Sequence, residues 1–130
     1  MRVQILIASL ITSFVPTLAQ AQDCSNPLTQ SKMTACAFEA YQMADEDLNL
    51  AWGMAVDQAK SIDQANDGAS DAFETLRAAQ RGWISFRDLA CEAESTLAFG
   101  GSMQPMLHAI CLERLTRERT EHLRYFGEVN

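Results

Sequence analysis

The stretch AQRGWISFRDLAC, residues 79–91, decides how this chain is read. Its apolar residues recur at helical spacing, so Trp83 and Ile84 share a side with Phe73 and Leu76 before them and Cys91 after them. Gln80 and Arg87 fall on that same side, seven residues and two turns apart. A helix side holding tryptophan and isoleucine is built for burial. A long cation within it is either a tie between helices or a working part of a site.

Working outward, the same periodicity predicts a helix over about 69–94, broken by STLAFGGS, where Gly100 and Gly101 permit positive φ and Ser102 can cap the next helix. Pro105 suits a first helical turn, and a third helix runs to about Tyr125 with Leu107, Cys111, Leu112, Leu115, Leu123 and Phe126 as its apolar stripe. Arg119 lies within that stripe, as Arg87 does in its own. Upstream, a helix over about 30–62 follows SNPLT, with Thr29 at its start. Its polar positions Glu39, Gln42, Glu46, Asn49, Gly53 and Asp57 form one narrow wet stripe. The wide apolar remainder implies packing against more than one neighbour. SIDQANDGAS is a polar connector. No strand alternation or repeat appears. Short connections between long helices predict an all-α fold, a small up-down-up bundle of three antiparallel helices.

The first residues read differently. MRVQ carries one positive charge, ILIASLITSFV is an apolar run, and Ala19 and Ala21 give an A-x-A pattern. This is the pattern of a secretory signal peptide over residues 1–21, too short to span a membrane, leaving residues 22–130 as a single helical domain. An exported chain with an even set of cysteines, Cys24, Cys36, Cys91 and Cys111, is expected to form two disulfides. Counting along the helices from the connector brings all four to one end of the bundle, so geometry alone leaves the pairing open. Cys24–Cys36 with Cys91–Cys111 is favoured because each closes a local loop; Cys36–Cys91 with Cys24–Cys111 is the rival. The cysteine spacings are wide, and neither His108 nor His122 has ligand spacing to a cysteine, so no metal or cofactor is expected.

The formal net charge is −7, unevenly spread. Residues 22–75 hold ten acids and two lysines; residues 76–130 hold seven acids and seven arginines. An acidic front half disfavours nucleic acid and anionic lipid and favours a basic partner. No phosphate-binding glycine loop and no nucleophile–histidine arrangement is present, so an enzyme is not expected. Asp45, Asp47, Gln80, Arg87 and Arg119 are expected to form one interhelical polar network, arginine being suited to a partly buried carboxylate pair. Two surfaces are candidates for partner binding. One is the wet stripe of the first helix with Glu39, Glu46 and Asp57; the other is the loop with Phe99, Gly100, Gly101, Ser102 and Met103.

The segments ADEDLN (44–49), AQRGWISFRDLAC (79–91), GGSM (100–103) and CLERLTRER (111–119), in this order after an early cysteine pair, resemble the LprI-type lysozyme inhibitor family in its N-terminal-domain form. The run Trp83, Phe86, Arg87, Asp88, Cys91 is the most specific part. Gly82 stands where members commonly carry Ala, and Phe86 replaces the commoner Tyr. The resemblance implies a small exported helical module of the bacterial envelope that binds and inhibits a basic muramidase such as lysozyme. It supplies no catalytic residues. The alternative it leaves is a periplasmic structural or protein-interaction module without lysozyme activity.

Overall fold

The computed structural model describes residues 23–129, so the signal segment and its cleavage after Ala21 lie outside the described residues. Within them are three α-helices, α1 (Gln30–Ala65), α2 (Ala72–Ser95) and α3 (Gln104–Glu128), with a short 3-10 turn, Thr96–Ala98, between α2 and α3. The expected all-α, three-helix, disulfide-stapled architecture is what forms. Each helix starts for a local reason. Thr29 occupies the N-cap of α1 and accepts the amide hydrogen of Lys32 through its side chain at 3.3 Å. At α2 the N-cap position is Asp71, which makes no side-chain cap bond. Asp63, from the end of α1, does the capping instead: its carboxylate accepts from Ala72 N at 2.8 Å and from Phe73 N at 3.1 Å. At α3 the cap expected of Ser102 does not form. The helix starts one residue later, at a Met103 N-cap with no side-chain bond, and Pro105 sits in its first turn.

The Asp63 carboxylate is held below the usual carboxylate range, chiefly by the Phe73 amide. A depressed folded-state pKa means that its contribution to stability is complete above the unfolded value, about 3.9, and is lost as pH falls through the lower folded value. Asp63→Ala is therefore expected to lower Tm at neutral pH, with a smaller deficit in strong acid, where the carboxylate is protonated in both states. Thermal melts of both proteins at the two pH values check this; a deficit undiminished in acid contradicts the cap.

Small residues govern the packing. α1 buries Ala44, Leu48, Ala51, Ala55 and Ala59, spaced by four and three. α3 buries Ala109, Cys111, Leu112, Thr116, Thr120 and Leu123. These stripes meet in the largest interface of the bundle, and α2 lies more lightly against both. The two buried threonines were not part of the expected stripe. Thr120 is tolerated there because its Oγ1 donates to Thr116 O at 2.9 Å. Trp52, Leu76, Trp83 and Phe126 close over the core built on Leu48, Ala51, Ala55 and Leu123. Ile84, placed on the buried side by periodicity, is instead 41% exposed.

At Gly127 the end of α3 comes close to the backbone of α1. A Cβ there would lie 3.1 Å from the Met54 carbonyl carbon and 3.2 Å from Ala55 N. Backbone cannot swing aside, so Gly127→Ala is expected to destabilise by about 1–2 kcal/mol through overpacking, outweighing the helix-propensity gain in the last turn. Gly82 is the contrast: it is mid-helix, and a Cβ there meets nothing within 4 Å. Gly82→Ala is expected to stabilise by about 0.5–1 kcal/mol. Urea denaturation of the two variants should move in opposite directions.

Candidate functional site

Both disulfides lie at one end of the bundle. Cys24–Cys36 ties the N-terminal segment to the first turns of α1, with a Cα–Cα distance of 5.6 Å. Cys91–Cys111 joins the end of α2 to the start of α3 at 5.3 Å. It is fully buried, packed with Leu112, Leu115 and Tyr41. Between Cys91 and Cys111 the chain turns through the 3-10 segment and the glycine loop. Glu94 and Arg114, 2.7 Å apart, add a second tie across the base of this turn.

The loop is heavily hydrogen-bonded for its size. Phe99 N donates to Thr96 O at 3.0 Å, Gly101 N to Ala98 O at 2.9 Å, and Gly100 N to the Gln104 side-chain oxygen at 3.0 Å. Gly100 takes positive φ, 73°, while Gly101 does not. A Cβ at Gly101 would come within 3.1 Å of Ala98 O, so its glycine serves a close approach and not a left-handed turn. On this fixed frame Phe99 is 83% exposed and Leu97 is 84% exposed, with Met103 half-exposed and Ser102 exposed beside them. Leu97 had no place in the expected surface. It falls inside a helix-breaking stretch, and only the 3-10 turn aims it outward.

The acidic stripe of α1 runs along the solvent side: Glu46 and Asp57 are exposed and Glu39 partly so. Neither Glu46 nor Asp57 has a cation within salt-bridge distance among the described residues.

Arg87, from the opening stretch, occupies a different place, the crossing of the three helices. Arg87 is buried, 9% exposed. Its guanidinium stacks on Trp83 at 5.1 Å and Tyr41 at 5.6 Å. It donates to Asp88 through Nε at 2.9 Å and approaches Asp45 at 3.7 Å and Thr116 Oγ1 at 3.5 Å. Burial pushes the Tyr41 hydroxyl above its ordinary pKa, against the pull of Arg87. Gln80 is elsewhere, accepting from Arg119 Nε at 2.9 Å, and Asp47 faces Arg117 at 3.9 Å. The five residues thus divide among three separate contacts instead of one network, and Asp88, the best partner of Arg87, was missed. Arg87 joins α1, α2 and α3 and offers little to solvent, the geometry of a tie and not of a binding surface.

A family model described as lysozyme inhibitor LprI matches residues 21–123. The chain belongs to this family. An uncharacterised protein of Rhizobium meliloti strain 1021 is similar to it, 36% identical over 128 residues, which cover 94% of this chain and 92% of that protein. The fold is shared with the crystal structure of a DUF1311 family protein from Pseudomonas putida KT2440, at a TM-score of 0.67 and 24% identity, covering 81% of this chain and all of that one. Within the LprI match lie both disulfides, the Arg87 crossing and the Leu97–Met103 loop.

Proposed function

We propose that this protein acts by binding, as an exported inhibitor of a basic muramidase in the bacterial envelope. The supporting observation is the loop: Leu97, Phe99 and Met103 present apolar surface on a turn held by the buried Cys91–Cys111 bridge. A loop already fixed in shape loses little freedom on binding, so more of its contact energy appears as affinity. Apolar side chains on such a turn suit insertion into a glycan-binding cleft. The acids Glu39, partly exposed, and Glu46 and Asp57, exposed, on α1 supply long-range attraction to a basic enzyme, which raises association rate more than affinity. Two disulfides support a periplasmic or extracellular setting. Among the described residues no helix is long and apolar enough to cross a membrane.

Surface-plasmon kinetics with c-type lysozyme test this division of labour. Replacing Phe99 and Met103 by alanine is expected to raise the off-rate roughly 10- to 100-fold, about 1.4–2.8 kcal/mol, with an unchanged salt dependence. Reversing Glu39, Glu46 and Asp57 to lysine is expected to slow association and flatten its salt dependence. An unaltered off-rate in the loop variant rules the loop out. A folded protein that neither binds nor inhibits lysozyme returns the chain to the interaction-module alternative.

A further inference from the structure

At the end of the bundle away from the disulfides, α2 and α3 part to leave an open groove of about 550 Å³. Its walls are mainly apolar: Leu76 and Ala79 from α2, Leu123, Tyr125 and Phe126 from α3. Small side chains on α2 are the reason it stays open, since nothing long reaches across from Ala72, Thr75 or Ala79. Arg119 also lines it. This arginine differs from the others on α3: Arg114, Arg117 and Arg124 each have a carboxylate within salt-bridge distance. Among the described residues Arg119 has none. Its Nε is spent on the neutral oxygen of Gln80 at 2.9 Å, which fixes the plane of the guanidinium. Partial burial lowers its pKa, the sign of a cation short of solvent and of a counter-charge. The nearest acid lining the groove, Asp71, is nine residues from Gln80 along α2, about 13 Å at 1.5 Å per residue.

A planar, oriented cation without a counter-ion, set at the edge of an apolar trough, matches one kind of ligand: a carboxylate to take the free fork of the guanidinium and an apolar body to lie along Leu76, Leu123 and Phe126. We propose that the α2–α3 groove is a binding site for small apolar monocarboxylates, with Arg119 as the residue that recognises the carboxylate. This site lies at the opposite end from the Leu97–Met103 loop and is independent of the inhibitor reading.

The probe is octanoate, titrated into the 15N-labelled mature protein and followed by amide chemical shifts. Shifts are expected to concentrate in residues 72–80 and 119–126 and to leave the 97–103 loop unmoved. Octanamide, the same chain without the charge, is expected to bind at least tenfold more weakly. Arg119→Gln and Arg119→Lys are both expected to weaken octanoate at least tenfold while leaving octanamide unchanged, the lysine variant because it keeps the charge but lacks the fork. The octanamide arm also reports that the groove of each variant is intact. Equal affinity for octanoate and octanamide overturns the proposal. So do shifts centred on the loop, no binding of either probe, or octanoate affinity unchanged in Arg119→Gln.

Discussion

Replacing Cys91 and Cys111 together by alanine is expected to cost at least about 3 kcal/mol, the chain-entropy value for a closed loop of this size. The sequence separation it closes is 20 residues. A second loss adds to the first. The bridge is fully buried among Leu112, Leu115 and Tyr41, and two alanines leave a hole there. Against a total of roughly 5–15 kcal/mol for a domain, this brings the fold close to its limit. The Cys24–Cys36 pair is expected to matter less, although it closes a loop of 12. Residues 23–29 are nearly all exposed, so the native chain without that bridge can fray at its end while the helices stay packed. Equilibrium urea denaturation of the two double variants measures both costs. Equal losses contradict the picture of a core staple and a terminal one.

Arg87→Ala is expected to destabilise by about 2–4 kcal/mol, the combined effect of two cation–π stacks, the lost stem and the cavity that follows. The two carboxylates it leaves behind, Asp45 and Asp88, are about half-exposed and keep their water, so stranding them adds little. That distinguishes this arginine from one in a sealed ion pair. Arg87→Met keeps the stem against Trp83 and Tyr41 and is expected to recover part of the loss. Arg87→Lys keeps the charge but cannot reach Asp88, Asp45 and Thr116 with one flat group. Urea midpoints for the three variants should therefore rank Ala lowest. Stability unchanged in Arg87→Ala contradicts the role of a tie.

How far the molecule was legible beforehand depends on what each residue had to find. The helices followed from apolar spacing because that signal is local, and their ends came within about three residues. The pairing Cys24–Cys36 and Cys91–Cys111 matched the preferred local closure. Partners across helices were harder. Asp45 and Asp47 are two residues apart on α1, about 200° around a helix, so only one of them could face Arg87. Asp47 turned toward α3 and Arg117 instead. Thr116 and Thr120 carry hydroxyls and so gave no apolar signal; Thr120 is buried by donating back to Thr116 O, and Thr116 by accepting from Arg87. The Asp63 cap was out of reach from spacing, since it needs the exact path of a polar connector between two helices. Leu97 could be placed in a break, but its outward aim depends on the 3-10 turn.

The staple at the base of the Leu97–Met103 loop also bears on how the molecule responds to proteolysis. Proteases prefer exposed turns of this kind, and here the turn lies wholly inside the span from Cys91 to Cys111. A single cleavage between them yields two polypeptides that remain one covalent molecule, their new ends held next to each other by the bridge, the Glu94–Arg114 pair and the helices on either side. The cut chain cannot drift apart, and the severed bond is kept within reach of being resealed by the same enzyme.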